Sequence, residues 1–418
     1  MNLQPKSEFS RNILTLMTGS TIAQAIPIAV SPVLTRIYTP EDFGIFALFV
    51  SIVSIFVSIS SGRYELAIIL PSKDEEAINI FALGFIITTL LSLLLLLLVI
   101  LFNDIITGLF TNTDIAYWLY FIPVVIFFTG MYNLLSYFNN RKQEYKDMAN
   151  ATIIKSIVLV IVQLGVGMIK AGVAGLISGQ VVSSIFANMK LMRNIVKDKV
   201  LLSQVSIKSM KALGGKYKDF PKYQAPHALL NSFSSNLPVY LFSSFFNATI
   251  IGFYSLSTRI IFIPMMILAG SSAKVYNKKV TQIHEEKGDT YGFTLNLLKS
   301  LFKKIILPFS LVILFAPEIF HFVFGPDWIE AGVYTQILSP WLLMVFFVAT
   351  ISFIPSLVNL QKKALVIEIL YTILRAGSLG IGIYYHDIYL ALILYTAVGF
   401  LMLNYNMYWM LNALKKFS

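Results

Sequence analysis

The chain has 418 residues, of which 57% are hydrophobic and only 13% charged, with a formal net charge of +11 and a mean hydropathy of +0.75. A soluble domain carries about twice that charged fraction, so this composition excludes one. The absence of cysteine excludes disulfides, thiolate metal sites and thiol redox chemistry, and four singly scattered histidines give no metal-ligand spacing. Neither a metal nor any other cofactor is expected.

The first apolar run, 12–37, follows Lys6 and Arg11, and Ala23-Gln24-Ala25 has the small-residue spacing of a signal-cleavage site. The run continues too far for a signal peptide, so a retained first span is expected. Further spans are predicted at 43–61, 78–102, 116–138, 148–169, 171–192, 226–246, 250–269, 301–324, 337–358, 364–385 and 388–414. Runs such as LLSLLLLLLVILF (90–102) are incompatible with the alternating strands of a membrane barrel. Between spans two and three sits the charged stretch GRYELAIILPSKDEEA (62–77).

Of the 32 Lys and Arg residues, Arg36 and Lys170 lie on one side of this arrangement. Lys155, Arg259 and Arg375 lie within spans, and the other 27 lie on the second side. That asymmetry predicts both termini and the even loops in the cytoplasm, so the positive charge reports topology and not nucleic acid. Trp118, Trp328, Trp341 and Trp409 fall near span ends, where interfacial anchors are expected. Outward loops are short, about 13 residues at most, and leave no room for a catalytic domain. The two longest cytoplasmic connections, 193–225 and 270–300, are basic with short amphipathic stretches such as VSIKSMKALGGKY, and are expected to lie against anionic membrane lipids.

The chain reads as a duplicated six-span unit. Pro32-Val33 followed by Gly44-Ile45-Phe46 parallels Pro238-Val239 followed by Gly252-Phe253-Tyr254, and Leu164-Gly165-Val166-Gly167 parallels Leu379-Gly380-Ile381-Gly382. An even number of spans makes the repeats parallel. The expected fold is all-α and polytopic, with about 12 transmembrane helices in two six-helix lobes around a central cavity. Residues 1–200 form the first lobe, 201–225 a cytoplasmic linker and 226–418 the second lobe.

A charge at mid-bilayer costs about 2.5 kcal/mol or more, so each one needs a reason. Arg259 has no acid within its span and is assigned to an aqueous cavity. Arg375 shares that reading, with an ion pair to Glu368 as the alternative, two turns away on one face. Lys155 can snorkel or, with Thr152 and Gln163 on its face, line a cavity. Polar stripes on span one (Ser20, Gln24, Ser31, Thr35), span two (Ser51, Ser54, Ser58, Ser61) and span seven (Asn231 to Asn236) suggest a polar lumen over plain helix packing. A net basic lumen without a deep carboxylate argues for an anionic substrate group held by guanidinium forks.

Four stretches carry a family resemblance spread over the whole chain. GRYELAIILP with its acidic patch resembles the first cytoplasmic loop of bacterial lipid-linked oligosaccharide flippases of the Wzx type, in the multidrug/oligosaccharidyl-lipid/polysaccharide exporter superfamily. TRIYTPEDFGIFAL (35–48) resembles that family's link between spans one and two. KYKDFPKYQAPHALLNSFSSNLPVYLF (216–242) resembles the start of its second lobe, and APEIFHFVFGPDWIEAG (316–332) its segment after span nine. The resemblance implies no enzyme activity. It implies transfer of an undecaprenyl-diphosphate-linked oligosaccharide across the bacterial plasma membrane for O-antigen, capsule or exopolysaccharide synthesis. A polysaccharide polymerase and chain-length proteins are the implied partners. It also implies a basic lumen to which Arg259 and Arg375 correspond in kind. Arg63 would sit at the cytoplasmic mouth, meeting the diphosphate or pairing with Glu65. A multidrug cation antiporter of the same superfamily would need a carboxylate deep in span one, which is absent. A glycan polymerase or ligase would need a large outward loop, and a primary pump a phosphate-binding loop; neither is present.

Overall fold

The structure, a computed structural model, describes residues 8–169 and 172–417. Lys6 and Lys170 lie outside them. Among the described residues every regular element is helical. The long helices are α1 (Glu8–Ile37), α2 (Pro40–Val57), α3 (Asp74–Thr107), α4 (Ile122–Arg141), α5 (Tyr145–Ile169) and α6 (Ala174–Val196). They continue as α7 (Ala225–Phe245), α8 (Ala248–Glu285), α9 (Thr290–Leu314), α10 (Ala316–Phe324), α11 (Ile329–Thr350), α12 (Gln361–Tyr384) and α13 (Ile388–Phe417).

Nine stretches among the described residues are long and apolar enough to cross a membrane, and α9 with α10, bent by 72° at their break, makes a tenth. Helices α6 and α7, with 23 and 21 residues, are more polar but reach roughly 31–35 Å at 1.5 Å per residue. Each predicted span therefore has a long helical counterpart. Three polar side chains of α6, Ser183, Ser184 and Asn188, are buried in protein, and Asn188 donates to the Phe128 carbonyl at 2.8 Å.

Helix starts follow from local chemistry. In TRIYTPEDFGIFAL, the Thr39 hydroxyl accepts from the Asp42 amide at 3.2 Å and the Asp42 carboxylate accepts from the Thr39 amide at 3.0 Å. This capping box, with Pro40 in the first turn, starts α2. Gly44 then meets the Ala248 carbonyl, where a Cβ would overlap.

The chain packs as two units, Met1–Ile251 and Gly252–Ser418. In the first, α5 packs on α1 and α6, and α4 on α3 and α6. Helix α7, which the duplication assigns to the second repeat, packs here on α2. In the second unit α13 packs on α11 and α12.

Two expectations need correction. The connection 270–300 is not made of short stretches. Helix α8 runs on for 38 residues, about 57 Å against a hydrocarbon core of about 30 Å. It turns directly into α9, held by Tyr276 stacked on Phe293 at 6.1 Å and bonded to Thr294 at 2.9 Å. The tryptophans are mostly not lipid anchors, since Trp328, Trp341 and Trp409 are buried in protein.

The paired LGxG segments behave alike. Gly165 and Gly380 face open space, whereas a Cβ on Gly167 would strike Tyr38 and one on Gly382 would strike Ala391. Gly382→Val is expected to destabilise the second unit by about 1–3 kcal/mol through overpacking. Gly380→Ala should be neutral or slightly stabilising, because it gains helix propensity without a clash. Thermal unfolding of the detergent-solubilised protein checks both; equal melting temperatures would refute the packing role of Gly382.

Candidate functional site

The charged stretch between α2 and α3 forms a tight bend. Gly62 and Arg63 both adopt left-handed backbone, at φ 62° and 65°, and a short 3₁₀ turn follows over Tyr64–Ile69. For arginine this conformation costs about 1–3 kcal/mol. It is offset by burial of Tyr64, Ala67 and Ile68 in a core with Ala77, Ile78, Phe81, Leu134 and Phe138. The bend also buries Glu65, which is 5% exposed. Its carboxylate accepts from the Ser61 hydroxyl and pairs with Arg63 at 3.2 Å. The Arg63–Glu65 contact, one of the two expected alternatives, is therefore formed, while the buried Arg63 Nε has no hydrogen-bond partner among the described residues.

The acidic patch that follows does not stand free. Asp74 is bridged by Arg141 at 2.9 Å and Lys142 at 2.5 Å. Arg141 also donates to the Pro71 carbonyl at 2.5 Å, closing the loop. Glu76 pairs with Lys216 at 3.3 Å, which raises the lysine pKa, and Glu75 accepts from Gln204 at 3.4 Å. These acids tie down the loop and the linker.

Lys155 on α5 lies 4.6 Å from the centre of the Tyr132 ring. The Tyr132 hydroxyl meets the Thr152 hydroxyl at 2.9 Å, so α4 and α5 hold the ammonium over an aromatic face. Gln163, expected beside Lys155 in the lumen, is instead buried against protein. It is 3% exposed and donates to the Leu176 carbonyl at 3.3 Å, while its own carbonyl accepts from Tyr38 at 2.5 Å. Gln24 is exposed and folds back onto the Ser20 carbonyl at 3.2 Å.

Packing claims much of the polar stripes as well. Asn236 donates to Ser54 at 3.0 Å, Ser232 meets Ser54 at 3.3 Å, and the Tyr240 hydroxyl donates to the Ser51 carbonyl at 2.6 Å. The stripes on α2 and α7 bind each other. Asn231 and Ser235, by contrast, are exposed.

In the second unit, Arg375 on α12 does not pair with Glu368, which is exposed. Its guanidinium lies 4.6 Å from the Tyr395 ring centre, 5.0 Å from Tyr371 and 5.3 Å from Trp341. Trp341 donates to the Tyr371 hydroxyl at 2.8 Å, which fixes two walls of this cage. A cation–π contact contributes about 0.5–1 kcal/mol at an exposed site and about 2 kcal/mol or more when desolvated. The buried Nε atom has no hydrogen-bond partner among the described residues. Arg259 on α8 is half-buried, with neither hydrogen bond nor ion pair among the described residues.

The structure thus joins Arg63 to Glu65 in the first unit and gives Lys155 an aromatic neighbour. In the second, it cages Arg375 and leaves Arg259 without a counter-charge. Sequence reading missed the cage. Tyr371, one turn before Arg375, was the available signal, but Trp341 and Tyr395 come from other helices.

No curated protein matches the chain. Its fold is similar to the inward-facing conformation of a multidrug resistance MATE-family transporter of the MOP superfamily. The TM-score is 0.68 at 15% identity, over 96% of each chain. The outward-facing conformation of a multidrug resistance MATE-family transporter of that superfamily gives 0.61 at 13% identity, over 98% of this chain and 96% of the other. The inward closed conformation of the lipid II flippase MurJ gives 0.67 at 13% identity, over 97% of this chain and 90% of the other. Residues 33–333 match the family described as polysaccharide biosynthesis protein. That match spans well over half of the sequence, and the chain belongs to the polysaccharide biosynthesis protein family, with the all-helical two-lobed fold of MOP-superfamily transporters.

Proposed function

We propose that this chain is a flippase carrying an undecaprenyl-diphosphate-linked oligosaccharide from the cytoplasmic to the outer leaflet of the bacterial plasma membrane, with both termini cytoplasmic. The observation that carries the reading is uncompensated positive charge. Lys155, Arg259 and Arg375 lie within spans, and none forms an ion pair among the described residues. Such charges are retained in a membrane where they serve a ligand or pathway. A diphosphate supplies the missing counter-charge, and a guanidinium recognises it through paired N–H groups. Membership of a polysaccharide biosynthesis family and a fold shared with a lipid II flippase support a lipid-linked glycan as the cargo.

In this reading the two six-span repeats alternate access between leaflets. Arg259 is the principal diphosphate ligand, because no aromatic cage or acid occupies it. Arg375, pre-oriented by its rings, and Lys155 act as secondary cationic positions. Gln24, exposed on α1, is kept as a contact for sugar hydroxyls. Arg63 meets the diphosphate at the cytoplasmic mouth. A polysaccharide polymerase and chain-length proteins take over the product outside.

Hydrogen bonds to an ionised group contribute about 1.5–3 kcal/mol, or roughly ten- to hundredfold in an equilibrium. Arg259→Ala is accordingly expected to cut surface polymer at least about tenfold while membrane levels stay normal, and Lys155→Ala to be milder. Immunodetection of surface polymer in cells lacking their own copy tests this, and wild-type levels for Arg259→Ala would refute the assignment.

The mouth is tested by reversal. Arg63→Glu should abolish export, and adding Glu65→Arg should not restore it, because a diphosphate needs the cation at position 63 itself. Recovery in the double variant would show instead that the pair serves only to close the mouth.

A further inference from the structure

The segment between α6 and α7 forms a collar of two short helices, Lys199–Ser203 and Ile207–Lys216. Its inner side is fastened to the first unit. Leu201, Met210 and Leu213 are buried, the first and third joining the core around Tyr64 and Ile78. Asn79, 2% exposed, donates to the Gln204 carbonyl at 3.0 Å and accepts from the Ser206 amide at 2.9 Å. The Tyr64 hydroxyl donates to the Gly214 carbonyl at 2.9 Å. Four anchors, Tyr64, Glu75, Glu76 and Asn79, lie in the mouth loop or the first turns of α3. The collar therefore packs beside the charged start of α3, where that helix's apolar run begins.

Its outer side has a different composition. Val200 is 72% exposed and Ile207 80% exposed, and Lys199, Lys208 and Lys211 are exposed beside them with no ion pair among the described residues. Six lysines and a single acid occur between 197 and 218. Apolar side chains flanked by unpaired lysines match an interface that is oily below and anionic above.

We propose that this outer face binds the anionic phospholipid headgroups of the cytoplasmic leaflet, with Val200 and Ile207 inserted between them and Lys199, Lys208 and Lys211 on their phosphates. Through Tyr64 and Asn79, headgroup binding then holds the mouth loop at the interface. A cytosolic protein partner fits less well. The collar lies beside the start of the α3 apolar run, where lipid is already present, and its exposed apolar residues are too few for a protein interface core.

The chain has no cysteine, so Ile207→Cys provides a single labelling site for an environment-sensitive fluorophore. The labelled protein is placed in nanodiscs of phosphatidylcholine alone or with about one third phosphatidylglycerol. Quenching by lipid-borne spin labels is expected to be at least about twofold stronger in the anionic discs. Lys208→Glu with Lys211→Glu should abolish the difference while leaving the melting temperature unchanged, since both lysines are exposed. Equal quenching in both discs would overturn the proposal. So would a response in phosphatidylcholine discs to undecaprenyl diphosphate but none to phosphatidylglycerol, which would make the collar a substrate collector.

Discussion

A polar group inside hydrocarbon must find its partner within the protein or from a ligand, because lipid tails offer neither donor nor acceptor. In this chain that requirement decides which helices touch. Asn236, Ser232 and Ser54 bond across the α2–α7 contact, and Tyr240 closes onto the Ser51 carbonyl. Asn139 donates to the Leu135 and Leu191 carbonyls, and Asn194 joins it to Asp147, which also pairs with Lys190. Hydroxyls that find no neighbour turn back on their own helix, as Ser31 does onto the Pro27 carbonyl and Thr88 onto the Gly84 carbonyl. Helices too polar to insert alone, such as α6, become tenable once these bonds form.

Against that background the span cations differ in kind from the polar residues. A serine can satisfy itself within one turn, whereas a guanidinium cannot. Arg375 receives the faces of three rings, which lower the cost of its charge but leave its buried Nε without a hydrogen-bond partner among the described residues. Rings and N–H groups act in perpendicular directions, so the cage fixes the plane of the guanidinium without competing for an anion in that plane. Arg259 has no such support, and its cost is the larger one.

Length, hydropathy and the placement of basic residues were enough to locate a helical counterpart for every span, because insertion depends on those same local quantities. The ion pair of Arg63 with Glu65 was also legible, being two residues apart. Less legible was the use of side chains whose partners are distant in sequence. The serines of span two look like a lumen lining until Asn236 and Tyr240, nearly two hundred residues away, claim them. Trp341 near a span end reads as a lipid anchor until Arg375 and Tyr371 enclose it. The extension of α8 was missed because charge ended the apolar run, although a helix needs no apolar surface once it leaves the bilayer. The pairing of Asp74 with Arg141 and of Glu76 with Lys216 was likewise out of reach, because the partners lie far along the chain.

Helix α8 has a mechanical consequence. It is one continuous rod from Ala248 to Glu285, with Arg259 in its first third and Pro264 just beyond. A proline in a helix removes one backbone bond and provides a place to bend. From Pro264 to Glu285 the rod extends about 31 Å at 1.5 Å per residue. A change of about 10° at the proline displaces the far tip by roughly 5 Å over that length. The stack of Tyr276 on Phe293 passes the same swing to α9. A bend of that size beside Arg259 would be amplified into a displacement of several ångströms at the far tip of α8.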